Sequence, residues 1–116
     1  MKIISIKENS DFKRAYYKGR SIVKKRIVLY YRKNRIEFSR LGITVSPKVG
    51  NAVVRNRIRR LIKENYRILS EGIECGFDIV LVARSCSAYC NFYDIQKDMR
   101  EALYESGLIK RNDFCE

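Results

Sequence analysis

Residues Phe77 to Ala83, FDIVLVA, form an almost unbroken apolar run of strand length. Such a run reads as a β-strand covered on both faces, because a strand with one wet face would alternate polar and apolar side chains. Other elements must therefore pack on either side of a sheet. Leu41, Ile43 and Val45 alternate with Gly42, Thr44 and Ser46, which predicts a strand with one buried face, ended by Pro47. Ile27 to Arg32, IVLYYR, is rich in β-branched and aromatic residues and reads as another strand, followed by a polar connection over Lys33 to Ser39.

Helix signals fill the remainder. Asn9 or Ser10 can cap a first helix running to Tyr17 or Lys18, with Gly19 as its left-handed stop. Asn51 is the expected N-cap of a second helix, and Asn91 of a third with Ile95, Met99, Ala102 and Leu103 on its inner side. Gly107 should stop the third, leaving Lys110 to Glu116 as a frayed tail. Strand, helix, strand from Leu41 to Ala83 is a β-α-β unit. The fold class is α+β, with one small sheet partly covered by helices.

The second helix carries most of the functional information. At 100° per residue, Val54, Leu61, Ile62 and Leu69 fall within about 60° of Ile58. Asn56, Arg60, Lys63 and Arg67 fall on the opposite side, so a polar stripe runs straight along the helix. A solvated helix face normally mixes signs to gain i,i+4 pairs. Here only Glu64 offers that relief among Arg55, Arg57, Arg59, Arg60, Lys63 and Arg67. Their mutual repulsion is offset by an anionic partner, and guanidinium groups suit forked contact with phosphate. Asn65 lies near the middle of the apolar stripe, where it either overhangs the sheet edge or bonds to backbone.

Charge is segregated along the chain. Residues 1–69 carry 20 Lys and Arg against four acids, whereas residues 70–116 carry five against nine. The basic part is an electrostatic footprint for a polyanion. No long apolar run, signal peptide or lipidation signal favours a membrane as that polyanion, so nucleic acid is expected, in a cytoplasmic protein. At 116 residues with one proline and no repeat, residues 1–116 are expected to make a single RNA-binding domain.

Several chemistries are disfavoured. Cys75, Cys86, Cys90 and Cys115 are expected to be reduced thiols, and the Cys86–Cys90 spacing lacks further zinc ligands in a chain without histidine. A metal-dependent phosphodiesterase needs clustered carboxylates, and a metal-free one usually needs histidine. Neither is present in the basic half, so autonomous catalysis is not expected. A helix-turn-helix reader of DNA lacks its preceding helix. A plain RNA-binding structural protein, such as a small ribosomal component, is the competing class that composition leaves open.

Residues 46–67, SPKVGNAVVRNRIRRLIKENYR, resemble the signature of the bacterial ribonuclease P protein component, whose hallmark is an Arg-Asn-Arg motif followed by further basic residues. The resemblance extends through Asp11-Phe12 with Tyr16 and Gly19, the strand ending VLYY, the LGITVS strand and the IVLVAR strand. It implies a four-stranded sheet covered by about three helices, like ribosomal protein S5 domain 2. It also implies a left-handed β-α-β crossover, where chain physics alone would give the right-handed one.

The same resemblance implies the small subunit of an endonuclease that removes the 5′ leader from precursor tRNA. Chemistry is then expected in an RNA subunit using Mg2+ ions, with the protein aiding substrate recognition and metal affinity. The partners implied are that catalytic RNA and precursor tRNA, with no membrane and no obligate protein partner. Arg55, Asn56, Arg57, Arg59, Arg60, Lys63 and Arg67 would face the catalytic RNA, Asn56 near an RNA-held Mg2+. No catalytic or firm metal-binding residue is expected in the protein. Phe12, Tyr16, Tyr30, Lys48 and Arg84 would line a cleft for the single-stranded leader, where aromatic faces beside cations tolerate any sequence. Phe12 could equally be core, packing the first helix on the sheet. Pro47 stands where a further basic residue is common in the family.

Overall fold

A computed structural model describes residues 3–109, so the tail expected from Lys110 and the thiol of Cys115 lie outside the described residues. The elements in chain order are α1 (Asn9–Lys18), β1 (Arg20–Val23), β2 (Ile27–Lys33), β3 (Arg40–Thr44), α2 (Ala52–Leu69), β4 (Phe77–Ala83) and α3 (Phe92–Ser106). Short 3-10 turns at Ser70–Gly72 and Ser85–Tyr89 join α2 to β4 and β4 to α3. The sheet order is β1-β2-β4-β3. β4 pairs antiparallel with β2 and parallel with β3, which returns to it through α2.

β4 is covered on both faces, as its apolar run requires. On one side Ile79 and Leu81 join Leu29, Ile58, Ile62, Ile95, Met99 and Leu103 in the larger core beneath α2 and α3. On the other, Val80 packs with Ile6 and Ala15, against Phe12, Tyr16 and Tyr30. The four-stranded α+β fold is thus as expected. β1 was not legible as a strand: its RSIV is short and mostly exposed, with no alternation to betray it.

β3 differs from its expected one-sided pattern. Gly42 is buried, because α1 lies across it: a Cβ there would sit 2.5 Å and 2.7 Å from Phe12 ring atoms. Glycine thus lets the helix sit close to the strand. Gly19 also departs from expectation. Its φ of −89° and ψ of −178° are extended, not left-handed. What glycine supplies there is closeness, since a Cβ would lie 2.5 Å from the Ala15 carbonyl oxygen and 2.7 Å from that of Tyr31. The N-cap of α1 is Glu8, one residue before Asn9, and its side chain makes no capping bond.

The other helix ends form as the sequence predicts. Asn51 accepts a hydrogen bond from the Val54 N–H at 3.0 Å. Asn91 and Asp94 form a reciprocal capping box, and Gly107 is left-handed at φ 81°. Asn65 is wholly buried and bonds to backbone, its Nδ2 donating to the carbonyls of Leu61 at 3.0 Å and Phe92 at 3.2 Å. It therefore joins α2 to the start of α3. Beside it Tyr66 is buried enough to push its phenol up to about 12.

Ion pairs account for part of the charge segregation. Lys24 pairs with Glu101 and Glu105 of α3, and Arg26 with Asp98 at 3.1 Å. Part of the acidic segment thus neutralises the β1–β2 hairpin. Asp78, the one polar residue in the β4 run, is buried and receives Nε and Nη2 of Arg40 at 2.8 Å and 2.7 Å. Arg40 also reaches Asp11 of α1 at 3.3 Å. Its hydrogen bond to Asp78 raises the guanidinium pKa against the opposing effect of burial. This network ties α1 to the sheet.

Candidate nucleic-acid interface

α2 is held at its N-terminus by Asn51 and packed by Ile58, Ile62 and Leu69, which leaves the rest of its circumference to carry charge. No acidic residue occupies its first turn. Arg55 stands there instead, adding positive charge to the positive end of the helix dipole and so favouring an anion nearby. The Nε of Arg55 is buried with no partner among the described residues.

The seven expected RNA-facing side chains separate into distinct situations. Arg60 and Lys63 are exposed, and with half-buried Arg59 they line one wall of a hollow at the β3 edge. Asn56 is exposed and accepts from Arg59 at 3.2 Å, which keeps its amide NH2 as a donor. Arg67 is exposed but pairs with Glu64 at 2.6 Å. Such surface pairs are worth little and exchange readily for a stronger anion.

Arg57 is different. Its guanidinium donates to the carbonyls of Ala88 at 2.7 Å and Cys90 at 3.1 Å, clamping the 3-10 turn before α3 onto α2. The same motif residue that reads as a phosphate ligand is engaged by its own chain. Arg57→Ala should strip those two carbonyls of their donor and cost about 1–3 kcal/mol of stability. Arg60→Ala should change stability by less than about 0.5 kcal/mol. Chemical denaturation of both variants checks this, and equal losses would mean that the clamp contributes nothing.

The second surface lies on the α1 side of the sheet. Tyr16 and Tyr30 meet edge to face with ring centroids 5.0 Å apart, and Phe12 stands 6.4 Å from Tyr16. The hydroxyl of Tyr16 shares a 2.8 Å hydrogen bond with Thr44 Oγ1. All three rings are half-buried, so each keeps part of its surface for another partner. A hollow of about 320 Å3 opens there, lined by Asn9, Phe12, Lys13, Tyr16 and Thr44.

The two cations expected for this surface do not line the hollow, and topology sets where they lie. Lys48 comes just after β3 and Arg84 just after β4, and these strands are parallel neighbours, so both lie towards one end of the sheet. Lys48 is exposed with no side-chain partner among the described residues. Arg84 is exposed too, with Nη1 donating to the Lys24 carbonyl at 2.7 Å. The Phe12 ring packs α1 onto Gly42, and part of it also lines the hollow. Sequence reasoning missed Asn9, Lys13 and Thr44. For Thr44 the signal was present, as it is an outward position of the alternating LGITVS strand.

Among the described residues Cys75, Cys86 and Cys90 are free thiols, and burial pushes the Cys90 thiol pKa up. Among the described residues no group of three or more His, Cys, Asp or Glu could hold a metal ion. No described helix is long and apolar enough to cross a membrane.

The comparisons with known proteins agree with one another. The family model for Ribonuclease P matches residues 2–107. The ribonuclease P protein component of Clostridioides difficile is 46% identical over 110 residues, covering 94% of this chain and 91% of that one. A Thermoanaerobacter counterpart is 39% identical over 112 residues, covering 97% of each. The solved Staphylococcus aureus RNase P protein superposes with a TM-score of 0.85 at 37% identity, over 94% of this chain and all of that one. With that match running nearly end to end through sheet, helices and arginine-rich α2 alike, the chain belongs to the ribonuclease P protein family.

Proposed function

We propose that this chain, as a single RNA-binding domain, binds the catalytic RNA of ribonuclease P through α2. On the other side of the sheet it holds the 5′ leader of precursor tRNA, promoting leader removal in tRNA maturation. The observation that carries the reading is the pairing of two unlike surfaces on one sheet. One is a cationic helix flank with Arg59, Arg60 and Lys63, and the other a half-buried aromatic hollow around Tyr16. The first suits closely spaced phosphates of a folded RNA. The second suits unpaired bases, which stack on aromatic faces without regard to sequence.

Arg55, Asn56, Arg59, Arg60, Lys63 and Arg67 are the contacts proposed for the catalytic RNA. Arg57 serves that surface by holding the neighbouring turn, with its remaining N–H donors available to phosphate. Phe12, Tyr16, Tyr30, Lys48 and Arg84 are proposed for the leader. The bond-breaking chemistry is assigned to the RNA subunit and its Mg2+ ions. The carboxylates on the two helices do not fit a metal: Glu64 of α2 pairs with Arg67, and Asp11 of α1 pairs with Arg14 and Arg40. Asn56, an exposed amide on the helix flank, is the residue proposed to reach an RNA-held Mg2+ through its water. A cytoplasmic location with no obligate protein partner completes the reading.

Reconstitution tests it. Purified protein mixed with a bacterial ribonuclease P RNA at low Mg2+ should accelerate 5′ leader removal. Cleavage no faster than with RNA alone would instead favour a generic RNA-binding protein. Tyr16→Ala should weaken binding of leader-bearing precursor roughly tenfold, the value of about one stacked base, and leave mature tRNA unaffected. Equal losses for both substrates would remove the leader assignment.

A further inference from the structure

We propose that the open edge of β3 beneath α2 is a binding slot for one unpaired nucleotide of an RNA partner. The inference rests on the RNA-binding reading above and specifies what that face recognises. β3 is the terminal strand of the sheet on this side, and its edge is only half covered. The Leu41 N–H donates to the Ile4 carbonyl at 2.8 Å, and the Leu41 carbonyl accepts from the Ile6 N–H at 2.9 Å. The pairing stops there, as the single bridge between Ser5 and Leu41. Two residues on, strand geometry turns the N–H and C=O of Ile43 to the same edge. Among the described residues nothing pairs with them along it.

A hollow of about 400 Å3 opens at that place. Leu41 and Ile43 from the α2 face and Phe12 from the α1 face line it with apolar side chains around the strand edge, and Arg59, Arg60 and Lys63 give it a cationic wall. None of these cations has a carboxylate partner among the described residues, and Arg59 donates a hydrogen bond to the Asn56 amide oxygen. Three recognition elements therefore converge: apolar side chains around the strand edge, an adjacent backbone donor and acceptor, and concentrated positive charge. A nucleotide presents their complements in one unit, namely a planar base, a base edge with donor and acceptor groups, and a phosphate. A peptide strand would also satisfy an open edge, but it offers no general reason for three unpaired cations alongside. The volume falls at the small-ligand end of ordinary binding pockets.

The test is a titration of the 15N-labelled chain with adenosine 5′-monophosphate, with ribose 5-phosphate as control. The mononucleotide should shift the amides of Gly42 and Ile43 together with those of residues 59–63, whereas ribose 5-phosphate should shift the α2 amides alone. Ser5 is exposed and lines the hollow, so Ser5→Phe fills the slot without removing a charge or a core side chain. That variant should lose about tenfold in mononucleotide affinity while keeping its response to ribose 5-phosphate. Indistinguishable responses to the two ligands would overturn the slot. So would binding of an extended acidic peptide at Ile43 without any response to the mononucleotide. Neither measurement needs a ribonuclease P RNA, so the slot can fail while reconstitution succeeds, and the reverse.

Discussion

Alanine at position 19 is expected to cost this fold about 2–3 kcal/mol, more than any other single-methyl addition to its glycines. The added Cβ meets two backbone oxygens, those of Ala15 and Tyr31, at 2.5 Å and 2.7 Å. Backbone cannot rotate out of the way as a side chain can, so α1 must lift from β2, with the cost of overpacking. For a domain of this size that corresponds to a melting temperature lower by roughly 10 °C. Gly107→Ala is the matched control. Its φ of 81° makes alanine strained, yet no atom lies within 4 Å of the new methyl, so about 1 kcal/mol is expected. Thermal unfolding of the two variants decides between close approach and backbone conformation. If position 107 proves the costlier, the reading of Gly19 is wrong. Because Phe12 and Tyr16 ride on α1, Gly19→Ala should also loosen the aromatic hollow.

The largest functional effect is expected from replacing Arg59, Arg60 and Lys63 together by alanine. With roughly six phosphates neutralised by the whole α2 face, the log–log salt slope of RNA binding should be about −4 to −5. Removing three cations should bring it to about −2 to −3 and weaken binding at low salt by a hundredfold or more. Arg60 and Lys63 are exposed and Arg59 only half-buried, so the melting temperature should hardly move. A filter-binding series across salt concentrations measures the slope. An unchanged slope would place the phosphates on another surface, and a collapsed melting temperature would mean the triplet belongs to the core.

Much of this architecture was legible from local pattern. FDIVLVA announced a strand buried on both sides, and the spacing of Val54, Ile58, Leu61, Ile62 and Leu69 announced which side of α2 meets the core. Asn51, Asn91 and Gly107 announced helix ends, because capping depends on neighbours within four residues. Gly19 misled for an instructive reason. A glycine after a helix usually supplies a left-handed stop, but here its smallness is used against a strand that begins eight residues later. The acid in the β4 run was equally opaque. Asp78 is buried only because Arg40 and Asn34 reach it from other segments.

Charge and periodicity, both properties of short windows, were enough to define a basic helix with one dry side and to call for a polyanionic partner. They could not tell which arginines are free. Arg57 and Arg60 read alike in sequence, yet one clamps the carbonyls of Ala88 and Cys90 while the other stands exposed. That distinction, the meeting of Tyr16 with Tyr30 and Thr44, and the half-covered edge at Ile43 belong to the tertiary structure. Each depends on segments distant in sequence being brought within a hydrogen bond or a ring contact, and only the packing of α1 and α2 on opposite faces of the sheet does that.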